Sequence, residues 1–438
     1  MKIYIDTLGC PKNITDSEYA AGILEKAGHK IIENPALAKV LIVNTCGFIN
    51  DAKKESIDTI LELASYKNEK QILVVSGCLS KRYSKQLFKE LPEVDIFLGV
   101  NEYDKLPSIL QKHVYGKRER FITESEKEYI ELGERKLKDN PYTAYLKISE
   151  GCDNHCAYCV IPSIRGNFRS RRIEEIVKEA KELSIIGCKE ITIVAQDVTA
   201  YGIDLYGTYQ LPKLLQYLTE IQGIEWIRLM YCYEDEITDE LINAIAENEK
   251  ICKYIDIPIQ HCSDKILTSM NRRSTKESIY KTINKLRERI PGISIRTTLI
   301  TGFPGETKED FDELYNFVKE MRFNRLGVFH YSKEAGTPAA KMTGQVPEKT
   351  KIKRKDMIMA LQKDISLELN EKKIGDTIKV LIEEKIQDEE TYLGRSEFDA
   401  KEIDQSIIFT SKEPLIVGTF AMVKIVDALD YDLIGEVN

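Results

Sequence analysis

Residues 144–166, AYLKISEGCDNHCAYCVIPSIRG, join an apolar, strand-like run to three cysteines, Cys152, Cys156 and Cys159, within eight positions. Three thiolates on one loop are one fewer than a structural zinc or a complete iron–sulfur cluster takes. The chain beyond the loop decides the fold. Strand-like runs recur at EITIVAQ, WIRLMYCY, YIDIPIQ, ISIRTTLITG and RLGVFHY, with helical segments such as RIEEIVKEAKELSIIG between them. Six βα units predict a (β/α)6-type partial parallel barrel over 141–371, including a connecting helix at its end. Chemistry in such folds collects at the carboxyl ends of the strands. Those ends carry Cys152, Gln196, Asp197, Gln260, His261, Gly302 and His330, a polar set that a purely structural barrel does not need.

Upstream, KIYIDTLGC, KVLIVNTC and QILVVSGC are near-continuous apolar runs, each followed by a segment of helical period, and VDIFLG is a fourth. Such runs predict a parallel α/β sheet domain over 1–115, covered on both faces. A T-x-x-E pattern from Thr15 to Glu18 reads as the capping box of its first helix. Cys10, Cys46 and Cys78 each follow the carboxyl end of a strand, so all three lie on one sheet edge, where open parallel sheets bind ligands. They are either a second ligand set or three small buried residues. Residues 116–140 are charged and weakly patterned, a linker with room for a short hairpin. From 372 to 438 short β-rich runs predict a small β-barrel. It holds 8 Lys and Arg against 15 Asp and Glu, a net of −7.

The whole chain of 438 residues is 42% hydrophobic with a formal charge of −8. That suits two to four globular domains and argues against indiscriminate nucleic-acid binding. MKIYIDTLGC alternates like a strand and lacks a signal peptide's basic start and apolar run. A cytoplasmic protein with no membrane contact is expected. Ten cysteines in a reducing compartment then point to metal ligation or redox chemistry. Soft thiolates suit zinc or iron–sulfur, and His155, beside Cys156, is awkwardly placed to complete a zinc site.

GCDNHCAYC resembles the CxxxCxxC signature of radical S-adenosylmethionine enzymes. That resemblance implies a [4Fe–4S] cluster on Cys152, Cys156 and Cys159 whose open iron takes S-adenosylmethionine, with Tyr158 near the adenine. The order of the whole chain resembles the methylthiotransferases, which implies a second [4Fe–4S] cluster on Cys10, Cys46 and Cys78 and a terminal TRAM-like module. TLGCPKNITDSE, AQDVTAYGIDLYG and ALDYDLIGE resemble the branch that modifies an aspartate β-carbon of small-subunit ribosomal protein S-twelve; the branch that modifies a tRNA adenosine typically has Gln-Met at Pro11 and Lys12. Gln196, Asp197 and Arg228 are the implied further contacts of S-adenosylmethionine. The resemblance also implies a monomer fed by a low-potential donor such as flavodoxin or ferredoxin. An acidic terminal module suits a basic ribosomal protein better than phosphate, although a merely solvated acidic surface reads the same way. Two rivals stand beside this reading: the same chemistry on tRNA, and a noncatalytic iron–sulfur or zinc protein that binds ribosomes. Beside the motif, Arg165, Arg169, Arg171 and Arg172 read as a solvated helix start, and Cys188, Cys232 and Cys252 as core residues. Cys262 stands where the family pattern has a serine, an extra thiol near the barrel mouth.

Overall fold

A computed structural model describes every residue except 124–128, 130, 139, 387–389 and 438. The first strands are β1 (Lys2–Thr7), β2 (Lys30–Ile31), β3 (Val40–Thr45), β4 (Ile72–Ser76), β5 (Ile96–Leu98) and β6 (Glu119–Phe121). They form one parallel sheet in the order β2-β1-β3-β4-β5-β6. Every residue of β3 and β4 is buried, because helices cover both faces. Leu24 of α1 (Pro11–Lys26) packs into one layer, and Ile60 of α2 (Asn50–Tyr66) and Leu87 of α3 (Gly77–Glu90) into the other.

Two local expectations fail. α1 starts at Pro11 with Cys10 as N-cap, four residues before the Thr15–Glu18 pattern. Proline lacks the N–H that the first helical turn leaves unpaired, and its fixed φ suits that position. Thr15 therefore lies inside the helix, its hydroxyl donating to the Pro11 carbonyl at 3.0 Å. The linker holds no hairpin among its described residues. Instead β6 extends the first sheet in parallel beside β5; residues 124–128, 130 and 139 of the predicted linker lie outside the described set.

The central unit is built on β7 (Thr143–Lys147), a two-residue ribbon β8 (Ser149–Glu150) with β9 (Arg169–Ser170), then β10 (Glu190–Val194), β11 (Trp226–Leu229), β12 (Ile251–Gln260), β13 (Ser294–Thr301) and β14 (Arg325–His330). The six long strands are parallel in the order β14-β13-β12-β11-β10-β7, the partial barrel expected. Leu146, Ile193, Leu229, Ile255 and Leu299 share one apolar core with helical residues such as Ile176, Leu214 and Ile283. The helix Glu348–Glu371 leads to β15 (Thr377–Lys385), β16 (Thr391–Ser396), β17 (Ile407–Ser411), β18 (Phe420–Ala428) and β19 (Leu433–Val437). These close into a five-stranded barrel filled by Val380, Tyr392, Phe409, Val423 and Leu433.

The two outer units sit at opposite ends of the central one. α1 lies at the carboxyl ends of β7 and β10, where Asp16 meets Lys147 and Lys12 meets Ala195. The terminal barrel seals the amino ends. Trp226, first in β11, packs edge-on against Phe420, and Arg325, first in β14, pairs with Asp399. Among the described residues no helix is long and apolar enough to cross a membrane.

Candidate active site

Cys10 caps α1, Cys46 follows β3, and Cys78 lies in the first turn of α3. A Cβ built on Gly9, whose φ is +90°, would come within 2.7 Å of the Cys46 Cβ, so the turn into Cys10 rests directly against Cys46. All three thiols stand within electrostatic reach of one another. Burial pushes Cys46 up to about 12 and raises Cys78, which the Arg165 guanidinium opposes.

The second set lies on the loop between β8 and β9. His155 adopts a left-handed φ of +48°, which lets the loop turn between Cys152 and Cys156. Burial pushes Cys152 up to about 11 and Cys159 up to about 12. Such thiols become thiolates only beside a compensating positive charge, as a metal provides. Among the described residues no three His, Cys, Asp or Glu side chains close around a point as tightly as a single ion requires. Two all-sulfur triads suit an iron–sulfur group, which takes one thiolate per iron.

Arg165 ties the chain beyond the second triad to the first. It is 2% exposed and stands six residues after Cys159. Its NH2 donates to Asn13 Oδ1 at 2.8 Å and meets Cys78 Sγ at 3.5 Å; its NH1 pairs at 2.9 Å with both Asp16 and Glu150. Lys147 pairs with the same two carboxylates at 2.5 and 3.0 Å. Burial alone would raise Glu150, but the Arg165 and Lys147 cations outweigh it and hold Glu150 well below the usual carboxylate range. The expectation of a solvated arginine cluster is therefore wrong for Arg165, Arg169 and Arg171, which are buried; Arg172 alone is exposed. Arg171 pairs with Glu131 at 2.7 Å and Glu179 at 2.5 Å, and Glu179 accepts from Tyr19 of α1 at 2.6 Å. These arginines weld the first unit to the second.

The remaining anticipated contacts divide. Gln196 lies at the mouth and donates to Glu150 at 2.8 Å, leaving its own Oε1 without a partner. Asp197 is 1% exposed and accepts from Asn154 of the cysteine loop at 2.6 Å and from Thr199 at 2.8 Å. Tyr158 packs with Ala157, Met270 and Phe303. Arg228 is misplaced by the sequence reading. Its Nε pairs with Glu190 at 2.7 Å, and its NH1 and NH2 donate to the Glu397 and Ser396 carbonyls at 2.7 and 3.3 Å. It therefore points toward the terminal barrel and away from the mouth. His261 is buried and accepts from the Ser263 N–H at 3.0 Å, His330 pairs with Glu348, and Cys188, Cys232, Cys252 and Cys262 are wholly buried, so Cys262 is not an open thiol at the mouth.

Several site residues escape a sequence reading. Glu236 follows β11, and burial together with the Asp197 carboxylate pushes it up to about 7. Arg273 bonds its Oε1 at 2.6 Å, while its buried Oε2 has no partner. Arg272 stacks 4.4 Å from the Tyr233 ring centroid and donates from NH2 to the Pro258 carbonyl at 3.1 Å, leaving NH1 unpartnered. Tyr233 OH lies 3.4 Å from Cys156 Sγ. The one signal for Tyr233 and Glu236 is YCYEDE, a polar and aromatic run just past a strand. The mouth thus gathers thiols, unpartnered donors and acceptors, and two carboxyls raised by burial, Glu236 to about 7 and Asp197 beside it.

Comparison with known proteins agrees with this architecture. Residues 2–99 match the model of Uncharacterized protein family UPF0004, 146–318 the Radical SAM superfamily, and 374–437 the TRAM domain. In fold, the chain is similar to a radical S-adenosylmethionine methyltransferase, TsrM, from Kitasatospora setae, solved with cobalamin and a [4Fe–4S] cluster: TM-score 0.55, 14% identity, 86% of this chain and 78% of that one. In sequence it is 51% identical to the ribosomal protein uS12 methylthiotransferase RimO of Desulforamulus reducens over 98% of both chains. It is 49% identical to the protein of the same name from Clostridium tetani over 100% of this chain and 98% of that one. Identity of that order along the full length leaves one assignment: the chain belongs to the family of ribosomal protein uS12 methylthiotransferases.

Proposed function

We propose that this protein replaces a hydrogen on the β-carbon of an aspartate in ribosomal protein uS12 with a methylthio group. The observation that carries this reading is full-length similarity to enzymes of that name, and Arg165, six residues beyond Cys159, supports it by reaching Cys78 of the first thiol triad. Cys152, Cys156 and Cys159 would hold one [4Fe–4S] cluster, and Cys10, Cys46 and Cys78 the other. When bound, these clusters and S-adenosylmethionine supply the electron, the radical and the sulfur and methyl groups that side-chain acids and bases lack.

The chain's own residues position and shield. Asn154, bonded to Asp197 and Cys152, and Glu236, whose ionisation the Asp197 carboxylate opposes, form an acidic corner beside Cys152, suited to an ammonium such as that of the methionyl group. Arg272, with one donor unpaired, faces Cys156 and suits a carboxylate. Tyr158 and Phe303 offer an apolar wall for a flat base. The acidic terminal barrel seals the far end, so any contact it makes with a basic ribosomal partner lies away from the reacting aspartate. Four of its carboxylate residues, Glu383, Glu397, Asp399 and Asp404, already bond to Arg395 or to the central unit.

The decisive experiment incubates anaerobically reconstituted protein, S-adenosylmethionine and a low-potential reductant with uS12 or with tRNA. A mass gain of one methylthio group for one hydrogen on the uS12 aspartate is expected. Modification of tRNA with none on uS12 would overturn the reading.

A further inference from the structure

Lys12 stands on α1 two residues after Cys10, yet its side chain leaves its own domain. Its Nζ donates to the carbonyl of Ala195, just past β10, at 3.3 Å and sits 3.5 Å from the centroid of the Tyr231 ring, two residues past β11. The residue is 8% exposed. A buried ammonium is costly unless it is paired, and many of the other buried cations of this molecule meet a carboxylate. Lys147 and Arg165 meet Asp16 and Glu150, Arg171 meets Glu179, Arg228 and Arg395 meet Glu190, and Arg325 meets Asp399. Among the described residues Lys12 meets only a carbonyl and an aromatic face, and no carboxylate lies within ion-pair distance.

A second observation concerns Tyr231. It has a φ of +61°, an unfavourable backbone for an aromatic residue, which persists only where the surroundings enforce it. Here its N–H donates to Asp256 Oδ2 at 3.1 Å and its carbonyl accepts from Val198. The strained turn places its ring beneath the ammonium. Lys12 also lies within electrostatic reach of the Glu150 carboxylate and of the Cys10 and Cys159 thiols. These are the two half-exposed thiols, one from each triad.

We propose that the Lys12 ammonium is the anchor for the side-chain carboxylate of the target aspartate, holding its β-carbon between the two thiol sets. The inference rests on the proposed function and names the residue that selects its substrate. In aspartate the β-carbon is bonded directly to the carboxyl carbon, so fixing the carboxylate fixes the reacting carbon to within one bond. An ammonium offers three donors at a compact charge. One is spent on Ala195 and the Tyr231 face takes up part of the charge, which leaves a donor to point at an anion. Asparagine, with the same shape but no charge, would forfeit the charge-assisted bond.

The test reads binding as well as turnover. Fluorescent peptides spanning the target residue of uS12, with Asp or with Asn at that position, are titrated into anaerobically reconstituted protein with S-adenosylmethionine and no reductant. Wild type should bind the Asp peptide about 10- to 100-fold more tightly. Lys12→Met and Lys12→Gln should lose that preference, and Lys12→Arg should keep part of it. Iron content and circular dichroism verify that the variants fold and load, and the wild-type comparison needs no variant. Equal binding of the two peptides by wild type would overturn the proposal. So would an unchanged Asp preference in Lys12→Met, even with altered cluster spectra, because Lys12 would then serve only the clusters. Failure of the underlying function looks different: the Asp peptide binds with its preference intact but gains no methylthio group when reductant is added.

Discussion

Arg165 shows what a side chain's neighbours in sequence conceal. Beside GCDNHCAYC it reads as one of four arginines at a wet helix start, because its partner Glu150 lies 15 residues back, on the far side of the cysteine loop. Its other partners, Asn13, Asp16 and Cys78, lie 152, 149 and 87 residues away. The cysteines were legible for the opposite reason: C-x3-C-x2-C is a local spacing dictated by ligation. Arg228 failed as Arg165 did, since its partners come from the terminal barrel. Replacing Arg165 with Met should leave Asp16 and Glu150 sharing Lys147 alone, and truncating one member of such a buried network costs about 3–5 kcal/mol. Denaturant melts should show that loss, with less iron retained beside Cys78. Wild-type stability in Arg165→Met would mean that the ion pairs do not hold the units together.

At the scale of elements, strand-to-helix junctions decide where the first thiol set lies. Apolar runs followed by helical period made the sheet and its carboxyl edge readable from sequence. The starts of the helices were not: the Thr15–Glu18 pattern satisfied a local rule, yet Pro11 and the cysteine turn began α1 a full turn earlier. At the junction of β4 and α3, Gly77 has a φ of +89°, and an added Cβ would collide with Asn44 Oδ1 and come within 2.5 Å of the Thr45 carbonyl. Both contacts are to groups held in place, since Asn44 also bonds Asn13 and Ser17. Gly77→Ala must therefore shift the first turn of α3 and carry Cys78 with it. Reconstituted wild type should hold about eight irons. The variant should lose about half of them while keeping the absorption of the cluster on Cys152, Cys156 and Cys159. A full iron complement in Gly77→Ala would show that the turn tolerates the shift.

The whole molecule divides labour between the two ends of one barrel: chemistry at the carboxyl ends, closure at the amino ends. The count of −7 in the last residues was readable, but where the charges point was not, and some serve closure. Glu190, first in β10, receives Arg228 at 2.7 Å and both NH groups of Arg395 from β16. Burial opposes its ionisation, yet Arg395 and Arg228 outweigh burial and bring it down from 4.5 to about 2. A carboxyl held below its unfolded value adds stability that is complete above about pH 4.5 and disappears as the pH falls toward 2. Glu190→Gln leaves two buried guanidiniums facing a neutral amide, with Arg395 still near Glu383. It should therefore cost about 3–5 kcal/mol at neutral pH and flatten the acid limb between those two pH values. Scanning calorimetry across that window checks both effects. The thiols and Lys12 lie at the other end, so iron loading of any folded Glu190→Gln protein should match wild type. Loss of iron without loss of stability would mean that the two ends are coupled through the barrel.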